Sequence, residues 1–283
     1  RTTHLMVSNS QYIRGMSLGI DGHVEYDMES GKYVFKETNM DIDGSKLFMD
    51  GWLEPDSVGL DVNVRFGIET PRVEDLFAQI PKEYISAPID VEGGFVSLSG
   101  TVVGALTNST YPVVNCKAEI DKVKAQYEGM DYPIEDLSAL FTACLDAQNP
   151  TSSYLRIEKL YFLGGNSEID ASLNVEELLS DARVSGHIKT DVALSSLSKV
   201  LPLENTTMQG VVNADMDINF RLSHIIDSDY GRMRFKGVVD IDSLKVINDT
   251  IGFSLQNDAH LLFKGSDTLK VIVDVDRLLL RND

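Results

Sequence analysis

The sequence predicts an all-β protein, mainly β with a few short helices, whose strands form one long, curved, largely antiparallel sheet, an open groove or half-barrel with one apolar face. Three observations carry this expectation. Residues 211–222 read VVNADMDINFRL, which places Val212, Ala214, Met216, Ile218, Phe220 and Leu222 on one side and Asn213, Asp215, Asp217, Asn219 and Arg221 on the other. Side chains of an extended chain alternate between faces, so this is a strand roughly 35–40 Å long with one greasy surface. The same alternation returns elsewhere: Leu60, Val62, Val64, Phe66 and Ile68 against Asp61, Asn63, Arg65 and Glu69; Ile169, Ala171, Leu173 and Val175 against Asp170, Ser172 and Asn174; and Leu269, Val271, Val273 and Val275 against Lys270, Asp274 and Asp276. Finally, the connections between such stretches are short, which demands antiparallel pairing.

Taken in order, strands are expected at residues 19–26, 32–37, 47–53 and 59–68, with turn signals at Asp21-Gly22, Ser30-Gly31, Asp43-Gly44 and Asp50-Gly51. Residues 73–80 space Val73, Leu76, Phe77 and Ile80 on one side of a short helix that Pro81 ends. At Gly93-Gly94 the apolar phase slips from Ile89 and Val91 to Val96, Leu98 and Val102, as a bulge or bend requires. Strands follow at 95–103, 113–123, 137–145 and 157–163, then Gly164-Gly165-Asn166 as a turn, then 168–175. A turn of helix is expected at 176–180, a strand at 183–192, and a second amphipathic helix at 194–201 before Pro202. Strands at 210–222, 232–244, 258–263 and 269–280 complete the chain. The two longer helices share a plan of apolar stripe, Pro, and a Gly opening a long strand, which suggests an internal repeat of 70–105 and 190–222. They read as plugs for the open end of the sheet. Residues 1–283 are expected to form a single elongated β-groove segment.

Composition excludes several functions. With 283 residues and 43% hydrophobic content the chain can bury a sizeable core. Its 25 Lys and Arg face 44 Asp and Glu, a formal charge of −19, with no basic cluster. That field repels nucleic acid and opposes charge-driven docking on an anionic bilayer, and it reads as a solubilising coat on the polar strand faces. The two cysteines, Cys116 and Cys144, are too few for a disulfide scaffold or a zinc site. They either pair across neighbouring strands or stay as buried thiols. No run approaches the roughly 18–20 apolar residues of a membrane span. The sequence opens at Arg1 without methionine or signal segment, as expected of an excised soluble portion.

No catalytic constellation emerges, and no cofactor or metal is expected. His4, His23, His187, His224 and His260 are scattered, without the spacing of a helical metal pair. Asp41-Ile42-Asp43-Gly44-Ser45 starts like a calcium loop, but its Gly comes fourth and Trp52 stands where the twelfth-position Glu belongs, so a hairpin turn is favoured. Asp215/Asp217, Asp240/Asp242 and Asp274/Asp276 put paired carboxylates on one strand face, a geometry open to a glycosidase; the apolar residues between them favour the wet face of an amphipathic strand. Residues 15–19 (GMSLG) lack the preceding strand and following helix of a hydrolase elbow. Asn108, Asn205 and Asn248 head glycosylation sequons, which matter only in a eukaryotic secretory setting.

The order of motifs through the middle of the chain, however, is familiar. DLFAQIP (residues 75–81), GGFVSLSGTVVGAL (93–106), Tyr111-Pro112, AQYEGMDYPIEDLSA (125–139), EIDASLNVEELLSDARVSGHIKTDVALSSLSKVLPL (168–203) and MQGVVNADMDINFRLS (208–223) together resemble the periplasmic region of AsmA-family proteins over residues 70–225. The resemblance, which extends to TamB-like relatives, implies a repetitive β-groove with an apolar interior in the periplasm of a Gram-negative envelope. It implies anchoring to the inner membrane by an N-terminal helix absent from this chain, a role in phospholipid transfer or outer-membrane assembly and homeostasis, and no catalytic residues.

The residues expected to line such a lipid groove are Leu60, Val62, Val64, Phe66, Ile169, Ala171, Leu173, Val212, Ala214, Met216, Ile218, Phe220, Val271 and Val273. Apolar area is worth about 25 cal/mol per Å² and a dry face does not stay uncovered, so a ligand or self-closure is expected; the resemblance offers lipid acyl chains, or the sheet's own opposite wall, as the cover. The alternative is a structural β module with a self-closed core, as in an adhesin or surface-assembly protein. A glycoside hydrolase stands third, since no carboxylate pair is set apart from the coat.

Overall fold

The structure, a computed structural model, describes residues 2–7, 10–42, 44–74, 89–127, 132–195, 206–248, 253–264 and 270–282. Strands β1 (Thr2–Val7), β2 (Ser10–Tyr26), β3 (Tyr33–Ile42), β4 (Ser45–Asp56), β5 (Gly59–Thr70), β6 (Ile89–Glu92), β7 (Phe95–Thr107) and β8 (Val113–Tyr127) form its first half. The second half comprises β9 (Ile134–Leu145), β10 (Tyr154–Gly164), β11 (Ser167–Glu176), β12 (Arg183–Ala193), β13 (Thr206–Arg221), helix α1 (Leu222–Ile226), β14 (Arg234–Asn248), β15 (Phe253–Lys264) and β16 (Lys270–Asn282).

These strands make one 16-stranded sheet in which each pairs antiparallel with its sequence neighbour, except that β5 pairs with β7 while β6 pairs with β8. The sheet is not closed; β1 and β16 form its two edges. Short connections explain the meander, since a hairpin returns the chain at once beside its predecessor. Two turns have the expected form. Gly44 stands between β3 and β4 at φ +88, its amide donating to Asp41 Oδ1 at 2.9 Å. Gly165 and Asn166, both near φ +58, join β10 to β11 as a two-residue hairpin of primed type.

The phase slip at Gly93-Gly94 has a counterpart on β8. Strands β6 and β7 lie end to end along β8, and Gly94 at φ +86 sits opposite a bulge where Lys122 adopts φ +54 and donates its amide to Ser138 Oγ at 3.0 Å. Both strands slip together, so Val91 and Val96 stay on the same side as Val123 and Ile120. Val73, Val91 and Val123 bury one another there, with Val96, Ile120, Ala125 and Leu137 against them. Glu74 reaches back to accept from the Gly93 amide at 3.0 Å. Gly210 at φ +115 faces an equivalent bulge at Ser243, φ +54, on β14.

Several expectations need correction. Asp21-Gly22 and Asp50-Gly51 are not turns but lie inside β2 and β4. Residues 15–19 lie within β2, so a strand does precede them, although no helix follows. β1, the first part of β2, and β6 were not anticipated, and residues 177–180 form a turn. Leu222 does not continue the apolar face of β13; it starts α1 and is exposed. Of the two expected amphipathic helices, Val73-Glu74 and Leu194-Ser195 are helical, and the remainder lies outside the described residues.

The connections after β11 and β13 are clamped together. Arg221 at the end of β13 reaches Glu177 with both terminal nitrogens (3.0 and 2.9 Å) and donates to the Asp181 carbonyl at 2.8 Å. Hydrogen bonds from Arg221 hold the Glu177 carboxyl below its usual range, and the Ser223 amide does the same for Asp181. Folded-state values below the unfolded ones mean that this contribution is complete above the unfolded range and disappears as pH falls through the lowered values. The expected result is a loss of hydrogen-exchange protection at the Leu222 amide, which donates to the Ala182 carbonyl at 2.9 Å, below about pH 4. Unchanged protection factors between pH 6 and pH 3 would contradict it.

Candidate functional site: the apolar face of the sheet

Cross-strand register, more than any single strand, assembles the candidate site. Starting on β2, directly paired residues run Ile20, Met40, Leu47, Ile68, Leu98, Ala118, Phe141, Ile157, Leu173, Gly186, Ile218 and Phe235 from strand to strand as far as β14. A second row runs Thr70, Val96, Ile120, Ala139, Leu160, Ala171, Ile188, Met216, Gly237, Phe263 and Val271 from β5 to β16. At about 4.8 Å per strand each row is roughly 50 Å long. Paired residues share a face, so bulges that look like interruptions in the sequence keep the rows continuous.

Every residue expected in the groove falls on this face. Leu60, Val62, Val64 and Phe66 lie on β5, and Phe66 leads through Gly100, Cys116, Ala143, Leu155, Val175 and Val184 to Phe220. Ile169 joins Thr190, Ala214, Val239, Leu261 and Val273, while Val212 pairs with Val192 and Ile241. Val62, Val64 and Ala171 are buried; Leu60, Phe66, Ile169, Leu173, Val212, Ala214, Met216, Ile218 and Phe220 are half-buried. Val271 and Val273 join by backbone register. Large side chains that remain half-exposed beside buried Ala118, Ala139, Ala143 and Ala171 describe a face whose own neighbours cover its small residues and leave its large ones open. The chain exposes 17623 Å² at 31.3 kDa, against about 12,000 Å² for a compact monomer of that mass.

Strand geometry on this face depends on glycine. A Cβ on Gly186 (φ +154) would stand 2.1 Å from the Ser172 carbonyl oxygen, and one on Gly237 (φ +146) 2.1 Å from that of Asp215. The backbone of the preceding strand crosses where a side chain would begin, a device that lets a sheet bend.

The opposite face is wet. Asp61, Asn63, Arg65 and Glu69 are exposed, as are Asp215 and Asp217. Two open clefts lie on this side: one of about 550 Å³ is lined by Asp21, Asn39, Asp41, Lys46 and Glu69 together with Met40, Leu47 and Phe48, and one of about 380 Å³ is lined by Glu168, Asp170, Lys189, Asp191, Asp215 and Asp240. Among the described residues no group of three His, Cys, Asp or Glu is placed to hold a metal ion, and no helix is long and apolar enough to cross a membrane.

One arrangement escaped the sequence. Register places Ser172, His187 and Asp217 side by side on this wet face. His187 Nδ1 lies 2.9 Å from Asp217 and Nε2 3.4 Å from Asp215, so both ring nitrogens face carboxylates and neither is left to activate the Ser172 hydroxyl. Exposed ion pairs of this kind contribute about 0–1 kcal/mol. The double variant Asp215→Asn/Asp217→Asn is therefore expected to change unfolding free energy by no more than about 1 kcal/mol in urea denaturation; a larger loss would give these carboxylates a structural role.

Cys116 pairs with Ala143 and Cys144 with Asn115, so the pleat turns the two thiols to opposite faces. Both are free, and burial, followed by the nearby Asp146, pushes the Cys144 thiol up. Mild oxidation is expected to leave two alkylatable thiols by mass spectrometry, and a loss of 2 Da would overturn the register.

Compared with known proteins, the chain matches no family model, no curated protein and no solved structure.

Proposed function

We propose that this chain is a non-enzymatic module of the AsmA-like type, whose apolar face is a groove for phospholipid acyl chains in lipid transfer or outer-membrane assembly. On this reading it works in the periplasm of a Gram-negative envelope, held to the inner membrane by an N-terminal anchor. The observation that carries the proposal is the pair of apolar rows that cross eleven or more strands without a charged residue. An acyl chain is flexible, apolar and long, and such a row offers it a continuous path. Apolar surface worth about 25 cal/mol per Å² favours an occupant over water, and the polar coat opposite keeps the loaded module in solution. The motif order over residues 70–225 supplies the cellular setting.

A self-closed structural module would need the same face covered by protein. The open edges and half-exposed Leu173, Met216, Ile218 and Phe220 favour the groove over that alternative.

The test is native mass spectrometry and lipid extraction on protein purified without detergent, with a photo-crosslinking residue in place of Ile188 on the apolar face and of Lys189 on the wet face. Phospholipid adducts at 188 and not at 189 are expected. Protein that carries no lipid and takes none from vesicles would rule the proposal out.

A further inference from the structure

A different part of the molecule presents apolar side chains to solvent by construction. Helix α1 is turned inside out. Its sequence, Leu-Ser-His-Ile-Ile, spaces Leu222, Ile225 and Ile226 at i, i+3 and i+4, the stripe a surface helix normally buries. Here these residues are 42%, 44% and 79% exposed. The polar residues point inward instead: the Ser223 amide and hydroxyl donate to Asp181 at 3.0 and 2.9 Å, and His224 Nδ1 accepts from the Arg221 amide at 3.3 Å. The Arg221 clamp to Glu177 and Asp181 fixes this orientation. Leu179 in the clamped neighbouring connection is 46% exposed, and Tyr230, in the turn packed beside α1, is 54% exposed.

Charge around the knob departs from the rest of the chain. Residues 221–236 carry Arg221, Arg232, Arg234 and Lys236 against Asp227 and Asp229, so even with Glu177 and Asp181 included the acids and bases balance. Elsewhere the coat is strongly acidic, for a formal total of −19. A knob of Leu, Ile and Tyr ringed by balanced Arg and Asp suits an interface that is apolar a few ångströms below a polar layer.

We propose that α1, with Leu179 and Tyr230, is a docking knob that inserts into the interfacial layer of a phospholipid bilayer, the acidic remainder of the surface being held away from it. This goes beyond the groove: the knob lies at the strand ends, and its docking is independent of whether acyl chains enter the sheet. Repulsion from the coat gives the interaction an unusual sign. Zwitterionic vesicles bind better than anionic ones at low ionic strength, and salt narrows the difference, because a Debye length of about 10 Å at 0.1 M screens the distant coat more than the inserted side chains.

The experiment is flotation with phosphatidylcholine vesicles and with vesicles containing one quarter phosphatidylglycerol, at about 0.02 and 0.2 M salt. The parent protein is expected to float with phosphatidylcholine, and Ile225→Ser/Ile226→Ser to bind roughly tenfold more weakly while melting at the parent temperature. Ile226→Trp is expected to bind severalfold more tightly, since Trp favours the interface; a shaped protein pocket would reject the larger ring. Parent protein that stays unbound, serine variants that float equally well, or a concentration-dependent dimer that the serine substitutions abolish without any flotation would each overturn the proposal. The groove reading is tested separately, because adducts at residue 188 report acyl chains in the sheet whether or not the protein floats.

Discussion

A protein carrying Met216→Glu or Ile218→Arg is expected to fold and yet lose crosslinking to phospholipid. Both residues are half-buried in the rows that cross the sheet. On an open face the new charge keeps much of its hydration, so the cost stays near that of a surface substitution, about 1 kcal/mol or less, and the melting temperature falls by only a few degrees. An acyl chain lying along the row, however, must pass a charge with no partner, and transfer of an ionised group from water to hydrocarbon costs far more than the few methylenes beside it gain. Thermal melting and photo-crosslinking on the same variants check this. Collapse of the fold would show that the face is sealed by protein, because a buried unpaired charge costs several kcal/mol, and would favour the structural module.

The second large effect concerns the bends. Gly186→Val and Gly237→Val each place a Cβ 2.1 Å from a backbone oxygen of the neighbouring strand, at a φ that L side chains rarely adopt. Neither contact is with a flexible side-chain end, so relief requires the strand to shift and the rows beside it to lose register. Destabilisation of more than about 3 kcal/mol is expected in urea denaturation. Gly231→Ala serves as the control: its Cβ meets nothing within 4 Å, and its cost is expected to stay within about 1 kcal/mol. Equal stability of Gly186→Val and the control would mean that the sheet is straighter than the structure has it.

Much of this architecture was legible in the sequence, and particular residues show where legibility ended. The expected strand at 32–37 stops at Glu37, where β3 has its bulge and Glu37 takes φ +46. Beyond that point the apolar phase inverts and alternation no longer signals a strand, although β3 runs on to Ile42. Ser243 cuts the reading of β14 in the same way. Gly22 and Gly51 looked like turns because Asp-Gly favours turns locally; in the sheet they relieve close approach to Thr38 and Asn63 on adjacent strands. His187 appeared isolated because Asp217, its register partner, stands thirty residues away in sequence.

That the residues expected in the groove share one face was legible in the sequence, because membership of a face depends only on the parity of neighbouring positions. The period-two pattern read at residues 59–68, 168–175 and 210–222 determined by itself that strands stand there, that one side is apolar, and that short connections make them antiparallel, since each is a property of a few consecutive residues. Only the tertiary structure decided which residues stand opposite one another. Bulges at Glu37, Lys122 and Ser243 shift register by one residue, and the side chain opposite a bulge belongs to another strand. The same holds for the open sheet edges and for α1, whose Leu222, Ile225 and Ile226 would by pattern face a core. They face solvent because Asp181 and Glu177, some forty residues earlier, hold Ser223 and Arg221 from the other side.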